Sequence, residues 1–95
     1  MTPAEILARS DSAKRILDDP LVVEALQIIE RDVMEAFYAC PVRDLEGMRI
    51  LQTDLRLARQ FKGILQAAIE KGKLTSHDLR ERETFMQQAL RKIRS

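Results

Sequence analysis

Residues 37–46 read Phe-Tyr-Ala-Cys-Pro-Val-Arg-Asp-Leu-Glu, and this stretch decides the fold that the sequence predicts. The residue before a proline avoids the helical region, so Pro41 ends the helix that precedes it. Asp44 is a typical N-cap, and the acidic Glu46 in the first turn complements the dipole of the helix that follows. A connection as short as residues 40–43 predicts that the two helices are antiparallel neighbours.

Both helices beside this turn are predicted to be long. Asp19 caps the first and Pro20 is its first residue, so we expect this helix to cover Pro20–Ala39. Its apolar residues recur at the spacing of one helix face: Val22, Leu26, Ile29, Val33 and Phe37. The second helix is expected over residues 45–71, because Gly72 suits the left-handed position that follows a helix.

Phe61 lies in the middle of the apolar face of the second long helix. Large apolar residues at such positions usually fill the space between neighbouring helices. Phe61 is therefore expected to be buried against residues 29–33 of the first long helix.

Shorter helices are predicted on both sides of this hairpin. Two are expected within residues 1–18, because Thr2 starts one and the Ser-Asp-Ser run at 10–12 favours caps over helix interiors. A separate C-terminal helix is expected over residues 76–94, with Thr75 as its N-cap. No strand pattern appears in the sequence. The predicted fold class is therefore all-α: an antiparallel helical hairpin of two long helices with short flanking N-terminal helices and a C-terminal helix, in one domain.

Composition limits the possible classes of protein. The chain has 95 residues, of which 45% are hydrophobic and 33% charged, with a net charge of +1. This balance excludes fibrous and low-complexity proteins and gives no global attraction to DNA or anionic membranes. No basic segment followed by an apolar run, and no apolar stretch of about 20 residues, is present, so neither a secretory signal nor a membrane contact is expected. The single cysteine favours a reducing compartment, such as the cytoplasm or a particle assembled there.

Few side chains offer chemistry. His77 at a helix start is interpreted as a solvated histidine, and Cys40 at a helix end as a small apolar residue that closes the hairpin. Neighbouring carboxylates, at 18–19 and at 81 and 83, are interpreted as capping or surface groups. No phosphate loop, nucleophile elbow or zinc motif occurs. We therefore predict no enzyme, no catalytic, metal or cofactor residues, no cofactor and no small-molecule substrate.

Basic residues concentrate at the C-terminal end. Arg91, Lys92 and Arg94 are the candidates for nucleic-acid contact, although cations in the last turn of a helix are also expected from its dipole. Three cations contact too few phosphates for firm binding unless several copies are arrayed. Nucleic-acid binding therefore stays a secondary possibility.

Surplus apolar surface is the most informative feature of the sequence. The second long helix carries apolar residues beyond the stripe that one partner helix covers, and Arg82 and Glu83 interrupt the stripe of the C-terminal helix. Two readings stay open, since the short helices could cover this surplus within the chain or a partner could cover it. The candidates for a partner interface are Leu57, Ile64, Leu79, Phe85, Met86, Leu90 and Ile93.

Residues 19–74 resemble small helical proteins from the morphogenesis gene regions of tailed phages. The shared features are the Asp19-Pro20 helix opening, the Pro-x-x-Asp turn at 41–44, and the Glu-x-Gly-Lys-Leu ending at 70–74. An aromatic near the end of the first long helix, here Phe37 or Tyr38, also fits. The resemblance implies a virion or assembly protein with no catalytic residues to carry over.

These observations together lead to a functional expectation. The chain is expected to be a non-enzymatic structural or assembly protein, phage-encoded, that acts through helix-face contacts with a protein partner or with itself. It would work in the host cytoplasm or in the virion. One alternative is a small regulator or inhibitor that docks on a host protein. A second is an oligomeric DNA-packaging adaptor with basic tails.

Overall fold

A computed structural model describes residues 1–94 as three helices; Ser95 lies outside the described residues. Helix α1 covers Pro3–Asp18, α2 covers Pro20–Ala39 and α3 covers Leu45–Arg94. No strand occurs within the described part of the chain, so the predicted all-α class is confirmed. Helix α2 has the predicted bounds.

Side-chain caps open each helix where the sequence indicates. Thr2 Oγ1 accepts a hydrogen bond from the Glu5 amide at 3.2 Å. Asp19 Oδ1 accepts one from the Leu21 amide at 2.8 Å. These oxygens satisfy amide groups that have no partner inside a helix, and thereby fix where α1 and α2 begin.

The expectation of two short N-terminal helices is wrong, because α1 runs unbroken through residues 10–12. Its contact with α3 explains the continuity. Ala13 is 3% exposed, and the Ser10 hydroxyl donates to the Ile69 carbonyl at 3.5 Å. Packing against a neighbouring helix outweighs the weak helix propensity of serine and aspartate.

The expected helix end at Gly72 is also wrong, and with it the separate C-terminal helix and its cap at Thr75. Helix α3 continues for 50 residues. No glycine among the described residues has a positive φ. Gly72 is instead buried beneath Ser10 of α1, and a Cβ at this position would overlap the serine side chain. The glycine therefore serves a close approach of two helices.

The molecule is as long as its third helix. Its longest dimension is 77 Å, close to the length of about 75 Å expected for a 50-residue helix, so α1 and α2 lie alongside α3. Because a connection of five residues joins α2 to α3, these two helices run antiparallel. Within residues 77–94 only Ala89 is even half-buried; we call this segment the arm. It extends about 27 Å beyond the residues that α1 covers.

The three helices enclose very little. Ala13 and Ala58 are the only buried hydrophobic side chains within residues 1–94, and no large side chain is fully buried there. The expectation for Phe61 is wrong, since it is 47% exposed. It lies beside an open groove between α2 and α3, because no third helix closes that side.

Candidate interaction surface

All seven residues predicted to face a partner are exposed. Their exposed fractions run from 37% at Leu79 to 79% at Ile93. Neither α1 nor α2 covers them, which leaves the in-chain reading without support at these positions. Contact with a partner stays a prediction.

Six large apolar residues form one stripe along α3. They fall into two triplets with a spacing of seven, and we call them together the outer stripe: Ile50, Leu57 and Ile64, then Leu79, Met86 and Ile93. With about 100° of turn per residue, all six positions lie within a sector about 60° wide. Each is exposed. A seven-residue spacing of this kind is typical of a helix that pairs with another helix.

The same geometry separates Phe85 from the outer stripe. Phe85 is exposed, but consecutive residues of a helix point about 100° apart, so it faces a different direction from Met86. Leu90 lies at the edge of the stripe, about 40° from Met86. The predicted interface set therefore divides into a stripe and one outlier.

A groove of about 660 Å³ lies between α2 and the first part of α3, next to the outer stripe; we call it the α2–α3 groove. Its apolar lining is Val22, Ala25, Leu26, Ile29, Val33, Leu57, Ala58 and Phe61. Two carboxylates, Asp32 and Asp54, also line it, and none of its described lining residues is cationic. A groove of this length and polarity fits a helix that brings apolar and basic side chains.

The sequence reasoning missed Ile50 and the α2 residues of this groove as parts of the surface. Ile50 carried a usable signal, because it precedes Leu57 by seven residues. The α2 residues carried none, because they belong to a stripe that reads as core. Their exposure follows only from the absence of a third helix over α2 and α3.

The basic candidates lie at the far end of the arm. Arg91, Lys92 and Arg94 are exposed in the last turns of α3. Helix dipoles favour cations at this end, so their presence there has a local physical reason as well.

The side chains considered for chemistry are not brought together. His77 Nε2 lies 3.0 Å from Glu81 Oε1 on the exposed surface of the arm. Cys40 is half-buried in the α2–α3 turn, where its Sγ lies 3.8 Å from the Pro41 carbonyl oxygen. Among residues 1–94 no group of three or more potential ligand side chains is placed to hold a metal ion.

Within the described residues, no helix combines the length and the apolar character needed to cross a membrane. The chain matches no protein-family model, no curated protein and no solved structure.

Proposed function

We propose that this protein is a non-enzymatic structural or assembly protein that acts through helix-face contacts. Its working surface is the outer stripe with the adjoining α2–α3 groove. Catalysis has no part in this proposal, and the function is to hold other protein surfaces in place.

One observation carries the proposal: the chain exposes 8107 Å². A compact monomer of this mass would expose about 5,600 Å², so the excess is about 2,500 Å². The radius of gyration, 21.7 Å, likewise exceeds the value of about 12 Å expected for a compact domain of 95 residues. A chain with so little buried in its own fold gains stability when its apolar surface is covered by protein.

The setting we propose is a tailed phage, in the host cytoplasm or in the virion. The punctuation of residues 19–74 supports it, through the resemblance to small helical morphogenesis proteins. The helical hairpin formed by α2 and the first part of α3 would be the platform, and the arm would be the element that reaches a neighbour.

Native mass spectrometry of the purified full chain tests the proposal. We expect a defined oligomer at micromolar concentration. A chain that stays at its monomer mass of 10.9 kDa up to high micromolar concentration would overturn self-assembly. The regulator that docks on a host protein would then be the better hypothesis, because the α2–α3 groove could hold a helix of that protein.

The DNA-packaging adaptor is a second candidate, favoured by the three cations at the end of the arm. It requires an oligomer whose DNA affinity falls steeply with salt. An oligomer without such binding is the expected result for the assembly protein.

A further inference from the structure

We infer that the partner of the outer stripe is a second copy of this chain, arranged so that each arm lies antiparallel in the α2–α3 groove of the other copy. This inference rests on the proposed assembly function and names its first contact. The dimer is reciprocal, with two identical arm-to-groove contacts related by a two-fold axis.

The spacing of the outer stripe sets the register. In an antiparallel pair the residue numbers of facing positions add to a constant. A constant of 143 places Ile50 opposite Ile93, Leu57 opposite Met86, and Ile64 opposite Leu79. All six outer-stripe residues of each chain are then matched, and the two-fold axis passes between residues 71 and 72. Few helices are self-complementary over this length, so the match carries weight.

The same register accounts for the break in the arm. Arg82, which interrupts the apolar pattern, lies opposite the half-exposed Phe61 of the other copy. A guanidinium group over an aromatic face is a favourable contact. The charged residue is therefore compatible with the interface.

Charge also favours this occupant over a third helix of unrelated sequence. The α2–α3 groove contains the carboxylates Asp32 and Asp54. The arm carries five basic residues against three acidic ones, and its basic end faces the half of α3 that contains Asp54. Opposite charges at a helix–helix contact fix orientation and register more than they add affinity.

The area agrees with a stable dimer. If the second copy covers most of the excess of about 2,500 Å² on each chain, the interface totals up to about 5,000 Å², within the range of obligate homodimers. An arm that paired only with another arm would leave the groove and the first triplet uncovered.

Disulfide trapping in the full chain tests the register. In a Cys40→Ser background, the double variant Leu57→Cys/Met86→Cys places two thiols at facing positions of the dimer. Within one chain these positions are 29 residues apart on one helix, about 44 Å, so no disulfide can form inside a chain. We expect mild oxidation to convert the 10.9 kDa chain into a covalent dimer of twice that mass on a non-reducing denaturing gel.

Matched controls separate the alternatives. Leu57→Cys/Leu79→Cys is one heptad out of register, and Met86→Cys alone reports pairing of two arms; we expect neither to give a covalent dimer. A dimer from either would overturn the register. An oligomer by native mass spectrometry with no 57–86 disulfide would overturn this inference and leave the assembly function standing. A monomer would overturn both.

Discussion

Ser10 of α1 lies directly on Gly72 of α3, at the point where the two helices come closest. The serine hydroxyl also donates to the Ile69 carbonyl, one turn away. This contact joins residues far apart in sequence and holds α1 against α3 just before the arm begins. It therefore sets where the covered part of α3 ends.

Gly72→Ala is expected to destabilise the fold. The added methyl group overlaps Ser10, which costs about 1–3 kcal/mol, and the better helix propensity of alanine returns up to about 1 kcal/mol. Urea unfolding followed by circular dichroism measures the net loss, which should be about 1–2 kcal/mol.

Gly63→Ala is the matched control on the same helix. No atom lies within 4 Å of a Cβ built there, so alanine should stabilise the chain by up to about 1 kcal/mol. Ser10→Gly should relieve the overlap and reduce the cost of Gly72→Ala. If both glycine variants stabilise equally, α1 does not lie on Gly72.

Asp44→Ala should remove the N-cap of α3. Asp44 Oδ1 accepts a hydrogen bond from the Gly47 amide at 2.9 Å, and the missing Cβ of Gly47 leaves room for the carboxylate. The expected loss is about 1 kcal/mol in the free energy of unfolding. Asp44→Asn keeps a capping oxygen and should cost much less. Equal losses for the two variants would show that the cap does not matter.

Met86→Lys should weaken association without changing the helix content. Each dimer loses two buried methionines worth about 1.5–3 kcal/mol apiece, so the dissociation constant should rise by about 100-fold or more. Analytical ultracentrifugation measures the change. Phe85→Lys places the same side chain one position away on a different face and should leave the dissociation constant nearly unchanged. The reverse order would place the contact on the Phe85 side of the arm.

DNA binding by the full chain should be weak and should not depend on the arm. A dimer that used Arg91, Lys92 and Arg94 from both chains would show a slope of about −5 in log affinity against log salt. We expect a slope near zero, unchanged by replacing the three residues with glutamine. Fluorescence anisotropy with duplex DNA measures both. A steep slope that the substitutions abolish would favour the packaging adaptor.

Local signals predicted the helical class and the helix starts, because caps and prolines act within a few residues. Thr2 and Asp19 cap where their sequences indicate. Gly72 misled because a glycine can end a helix or admit a neighbouring one, and only the position of Ser10 decides between these roles. Phe61 misled because its spacing reads as core, whereas its burial depends on a surface that the sequence does not place over it.

Small-angle X-ray scattering of the full chain tests the central claim most directly, because it gives mass and length together. The arm-to-groove dimer doubles the mass while its longest dimension stays at about 80 Å, close to the 77 Å of one chain. A mass of 10.9 kDa at high micromolar concentration would contradict self-assembly. A doubled mass with a length of about 125 Å would contradict the arm-to-groove arrangement, because that length requires the two arms to pair only with each other.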